Sequence, residues 1–133
     1  MDYKELTAKN EMLFQIVNRM LYLKQRGKSI VDYLKKEEIQ KVCIWGCSDL
    51  GQRVYDELKE SDIDVICGVD MNPDKRNIEA DTVLPDFRNV SLIEQSDAII
   101  VTAVFNLTDI CNKISELGIK CKVLSIDKIL MEM

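Results

Sequence analysis

The feature that most constrains this chain is a rhythm that begins at Lys41, where short apolar runs alternate with stretches of helical spacing. Val42-Cys43-Ile44-Trp45 is closed by Gly46, Val65-Ile66-Cys67-Gly68-Val69 by Asp70, and Thr82-Val83-Leu84 by Pro85; Ala98 to Thr102 and Cys121 to Leu124 follow. Unbroken apolar runs of this length suit strands covered on both faces, as in parallel sheets. Val54, Tyr55 and Leu58 recur at helical spacing after the first run, and Leu107 to Leu117 forms a helix stopped by Gly118. The polar segment 70–80, with Asn72-Pro73-Asp74, reads as a loop, and a last helical turn holds Ile129 and Leu130. Strands alternating with helices predict an α/β domain with right-handed crossovers. The expected architecture is a three-layer αβα sandwich around a five-stranded parallel sheet of order 3-2-1-4-5. Its switch point lies between the first and fourth strands, so a ligand is expected where Trp45-Gly46 and Thr102-Ala103 end.

The first run leads into Gly46-Cys47-Ser48-Asp49-Leu50-Gly51, a G-x-S-x-x-G version of the dinucleotide-binding fingerprint. Gly46 permits a tight turn out of the strand, the middle position must be small for a backbone to approach a pyrophosphate, and Gly51 lets the helix pack closely on the sheet. Ser48 replaces the usual middle glycine; it remains small, and its hydroxyl can bond a phosphate oxygen. Asp70 ends the second run, nineteen residues beyond Gly51, where a carboxylate accepts hydrogen bonds from ribose hydroxyls. With no arginine directly after it, an unphosphorylated ribose is favoured, as in NAD. The expected ligand-binding set is therefore Gly46, Cys47, Ser48, Asp49, Leu50, Gly51, Asp70, Met71, Asn72, Thr102, Ala103 and Asn106, for NAD or a nucleotide-sugar. The competing reading is a loop that merely turns the chain.

Other patterns weigh less. Tyr55 and Lys59 match the Y-x-x-x-K of short-chain dehydrogenases but stand on the helix directly after the glycine loop, so Tyr55 is expected to pack and Lys59 to be solvated. Asp70-x-Asn72-x-Asp74 opens like a calcium loop without its glycine and final glutamate. Cys43 reads as core. Cys47, near a helix N-terminus, is either a stabilised thiolate or a small loop residue. Trp45 reads as a core or crevice wall, and Asn106 and Thr108 as caps of the next helix or ligand contacts. No catalytic or metal-binding set emerges from a chain with no histidine.

Residues 1–38 form an expected helical extension, and 39–133 the nucleotide-binding domain. Leu6, Leu13, Ile16, Val17, Met20 and Leu21 make one apolar stripe, with Gly27 as a stop. Ser29 and Asp32 begin a second helix in a capping-box pattern. The stripe either docks on the domain's own sheet or pairs with the same helix in a second copy, giving a homodimer. A net charge of −5 disfavours nonspecific nucleic-acid binding, yet backbone amides hold phosphate without net positive charge. Five scattered cysteines do not form a secreted disulfide framework. The N-terminus lacks a signal-peptide pattern, and no apolar run approaches the ~20 residues of a membrane span. A cytoplasmic protein is expected.

Three segments, Ser29 to Leu34, Lys41 to Gly51 and Gly68 to Pro73, together resemble the Rossmann-like domains of bacterial surface-polysaccharide proteins. They are similar to the N-terminal domains of sialic-acid-type sugar acetyltransferases and of membrane nucleotide-sugar dehydratases, and to domains beside glycosyltransferases and methyltransferases. The resemblance covers roughly residues 29 to 127, with Gly46, Ser48 and Gly51 at the glycine positions and Asp70 at the acid position. It implies a nucleotide or nucleotide-sugar binding module in glycan assembly, without the catalytic domains that follow in such relatives. A transferase or oxidoreductase subunit whose catalytic groups lie on another chain, or a ligand-free docking domain, are the alternatives.

Overall fold

The unbroken apolar residues after Lys41 form β1 (Lys41–Trp45), whose last four side chains are all buried. Its alternating residues feed two separate cores. Val42 and Ile44 join Ala98, Ile100 and Leu124 on one face of the sheet. Cys43 and Trp45 join Cys67, Val69, Ile99 and Val101 on the other. A period of two along a strand produces this division, and burying each Val or Ile contributes about 1.5–3 kcal/mol. The computed structural model describes residues 2–71, 82–83 and 90–133.

The protein is a mixed α/β domain with a four-stranded, all-parallel sheet and, among the described residues, six helices. β1 pairs with β2 (Asp64–Val69) on one side and with β4 (Ala98–Val101) on the other. β5 (Lys122–Ser125) pairs with β4. A two-residue ladder, β3 (Thr82–Val83), runs parallel to Gly68 and Val69 of β2; Leu84 and Pro85, which close the expected third strand, lie outside the described residues, as does Asn72. The register aligns Trp45 with Val69 and Val101. Three strands therefore end level with one another at the glycine loop.

The helices among the described residues are α1 (Tyr3–Gln25), α2 (Ile30–Lys36), α3 (Asp49–Leu58), α4 (Val90–Ile93), α5 (Leu107–Glu116) and α6 (Ile126–Glu132). α4, with Ile93 buried against the Trp45 face, has no counterpart among the expected elements, because four residues are too few to display a helical period. α6 is longer than the single turn expected and buries Ile126, Ile129 and Leu130. Ser29 caps α2 by accepting from the Val31 amide at 3.1 Å, so the side chain of Asp32 is not needed to close the cap.

The N-terminal stripe divides. Asp2 starts α1 by accepting from the Glu5 amide at 2.8 Å. Farther along, Ile16 and Leu23 are buried, and Leu13 and Met20 partly so, in the same core as Val42 and Ile44. The covering element is α6. Leu6, Val17 and Leu21, expected on the same stripe, are exposed. Helical spacing places all six residues on one side, but α6 is wide enough to cover only one edge of it.

Candidate functional site

At the carboxyl end of β1 the chain turns through Gly46 with φ +111°, a conformation that glycine adopts without steric cost. Space demands glycine as well. A Cβ on Gly46 would lie 2.5 Å from Thr102 Oγ1 and 3.0 Å from the Ala103 nitrogen. A Cβ on Gly51 would run into the carbonyl oxygen of Gly46. Both fingerprint glycines are thus fixed by contact between the loop, the start of α3 and the end of β4.

Hydrogen bonds tie the same three strand ends together. The Gly46 amide donates to Val69 O at 2.8 Å, and the Thr102 amide to Trp45 O at 3.0 Å. The buried Thr102 hydroxyl donates to Gly46 O at 2.6 Å. Asp70 Oδ2 accepts from the Cys47 amide at 2.9 Å, so the carboxylate one strand away reaches the loop itself. Val69 and its carbonyl were not singled out in the sequence, which carries no signal for a main-chain acceptor.

The other expected site residues fall as follows. Cys47 is fully buried, with Sγ 3.6 Å from Val69 O and 3.8 Å from Ile44 O; its thiol faces the interior. Ser48 is exposed at the N-cap position of α3, and its hydroxyl makes no capping bond. Asp49 is exposed in the first turn of α3, and Leu50 is buried. The amides of Asp49, Leu50 and Gly51 precede the helix's own hydrogen-bond ladder, which starts with Gln52 N to Ser48 O at 2.9 Å. Met71 is exposed just beyond Asp70. Ala103 is partly buried beside Gly46, and Asn106 is exposed at the start of α5 with no side-chain capping bond. Trp45 is buried.

Two further features lie outside this region. Cys43 and Cys67 are buried neighbours on β1 and β2, Sγ to Sγ 3.6 Å, and the hydrogen bond between them, aided by desolvation, holds the Cys43 thiol well above its ordinary pKa. Between α2 and α6 a cleft of about 390 Å³ is lined by Lys28, Asp32, Tyr33, Lys36 and Glu132 among others. Tyr33 Oη donates to Glu132 Oε2 at 2.6 Å. That bond, then burial and the adjacent carboxylate charges, push the phenol up to about 12. Lys122, the first residue of β5, pairs with Glu37 at 3.5 Å, which puts this cleft at the amino end of the sheet, away from the glycine loop.

These features define a parallel α/β domain with a glycine loop closed against the carboxyl ends of its central strands. The model of the C2185-like N-terminal family matches residues 38–124, most of the chain, and the protein belongs to that family. No curated protein and no solved structure matches it. No helix among the described residues is long and apolar enough to cross a membrane.

Proposed function

We propose that this domain binds the nucleotide portion of NAD or of a nucleotide-sugar across Gly46 to Gly51, Asp70, and the edge from Thr102 to Asn106. We read the fold as Rossmann-like, three-layered and five-stranded in the order β3-β2-β1-β4-β5. The observation that carries this reading is the meeting of Asp70 with the glycine loop, through the bond to the Cys47 amide. It supports a site in which the start of α3 offers amides to a pyrophosphate and a carboxylate stands one strand away for the ribose hydroxyls. β1 lies between β2 and β4, and open α/β sheets take ligands at such a switch point. The resemblance to surface-polysaccharide proteins supports a role in glycan assembly, with any chemistry carried out by another domain or chain.

A second reading, a docking domain without ligand, has its own support. The Cys47 amide and the Gly46 carbonyl are already engaged by Asp70 and Thr102, and a carboxylate in the first turn of α3 already complements the helix dipole.

Isothermal titration with NAD and with UDP-sugars separates the two. Asp70→Asn is the informative variant, because its amide oxygen still accepts from the Cys47 N–H while the negative charge is gone. A charged hydrogen bond contributes about 1.5–3 kcal/mol, so Asp70→Asn is expected to bind roughly ten- to a hundredfold more weakly. Unchanged affinity would contradict the role of Asp70. No binding of any nucleotide by the unaltered protein would leave the docking reading.

A further inference from the structure

α1 is the element whose exposed surface its own fold does not account for. Its 23 residues reach about 34 Å at 1.5 Å per residue, but the fold fully buries only Ile16 and Leu23. Residues 2–12 are exposed throughout, except for the half-buried Lys9. Tyr3, Leu6, Asn10, Phe14, Val17 and Leu21 follow one another at three- and four-residue steps, so they form a single line along the helix. Every one of them is exposed, Tyr3 at 83% and Phe14 at 69%. An aromatic side chain carries 150–250 Å², so these two alone leave roughly 300 Å² of apolar surface in water. With Leu6, Val17 and Leu21 added, each about half exposed, the strip falls within the ~300–600 Å² of the largest apolar patch on a typical monomer, a patch that is often functional. That is a large part of the ~800 Å² that each partner gives to a standard interface.

We propose that this strip pairs with the same strip of a second copy, in antiparallel orientation, to make a homodimer. Charge selects the direction. The first half of this segment holds three acids, Asp2, Glu5 and Glu11, and two cations, Lys4 and Lys9. From Met12 to Lys28 there are four cations, Arg19, Lys24, Arg26 and Lys28, and no acid. Parallel pairing sets the basic halves against each other, while antiparallel pairing sets each against the half that holds the acids. A two-fold axis near residue 12 brings Tyr3 and Leu6 of one copy against Leu21 and Val17 of the other. Asn10 then faces Phe14, and Asp2 comes alongside Lys24 at the end of the shared strip. Leu13, Ile16, Met20 and Leu23 keep their places against α6, so dimerisation needs no rearrangement of the fold. The pairing is independent of nucleotide binding, since the glycine loop belongs to a different part of the molecule.

Light scattering across a concentration series tests association, and Phe14→Glu tests the surface. The unaltered chain is expected at the mass of two copies. Phe14→Glu is expected at the mass of one, with an unchanged circular dichroism spectrum. A single-copy mass for the unaltered chain at every concentration, or a two-copy mass for Phe14→Glu, overturns the proposal. Direction is read by disulfide cross-linking in a Cys111→Ser background, which removes the exposed native thiol. A mixture of Tyr3→Cys and Leu21→Cys chains is expected to cross-link, and Tyr3→Cys alone is not. Cross-linking of Tyr3→Cys to itself overturns the antiparallel arrangement.

Discussion

The glycine loop and the N-terminal helix are held by opposite means, and the contrast shows which part of the molecule is committed by packing and which by local sequence. In the loop, three strand ends close on one another so tightly that neither Gly46 nor Gly51 has room for a methyl group, and the main chain is bonded to Val69, Asp70 and Thr102. In α1, an N-cap, helix-favouring residues and one docked edge suffice to form a long helix, and its opposite edge is covered by nothing among the described residues. The loop is therefore sensitive to added atoms. The helix is sensitive only where it touches α6.

The comparison breaks most sharply on the glycines. Gly46→Ala combines a strained positive φ, costing about 1–3 kcal/mol, with a clash against Thr102, costing about 1–3 more. A loss of about 3 kcal/mol or more is expected in urea unfolding, and Gly51→Ala, which forces α3 away from the Gly46 carbonyl, should lose about 2–3. Values within 0.5 kcal/mol of the parent would mean that the loop has slack. Next come two leucines on one helix. Leu23→Ala removes a side chain that is 2% exposed and should cost about 2–4 kcal/mol. Leu21→Ala, in dilute protein, should stay within about 0.5. Equal losses would show that the two edges of α1 are not distinct.

Thr102→Val keeps the shape and removes the hydroxyl, leaving the Gly46 carbonyl without its donor. It should cost about 1–2 kcal/mol, while Thr102→Ser restores most of the loss. The smallest effect concerns the contact between α2 and α6 beside the docked edge. Because the Tyr33 phenol is raised to about 12 from an ordinary 10, the neutral form is the one the fold favours. Its contribution is complete below pH 10 and disappears as pH rises toward 12. An ultraviolet titration should find one tyrosine ionising late, and Glu132→Gln should bring it back toward 10; four tyrosines titrating together would contradict the bond.

The strands were legible because a strand covered on both faces must be apolar along its buried length, as β4 is throughout and β1 and β2 are after their first, exposed residues Lys41 and Asp64. The glycines were legible too, since a strand-to-helix turn that approaches another backbone tolerates little else. α4 was not legible, because Val90 to Ile93 is shorter than the pattern used to recognise a helix. Nor was the division of α1: periodicity reports which residues share a side, and the width of that side covered by α6 is a tertiary fact. At the site, sequence spacing brought Asp70 and Thr102 to the correct strand ends. It gave no sign that Asp70 would bond the Cys47 amide, that the Thr102 hydroxyl would take up the Gly46 carbonyl, or that Cys47 would turn its thiol inward. Those outcomes depend on side-chain direction at the end of a strand, which changes with a single residue of register.

The central claim, that nucleotide binds at the glycine loop, is tested most directly by following backbone amide resonances during titration with NAD and with a UDP-sugar. Saturable shifts confined to Gly46 through Gly51, Asp70, and Thr102 through Asn106 are expected. Shifts centred on the Tyr33 and Glu132 cleft instead, or no shifts with either nucleotide, would contradict it.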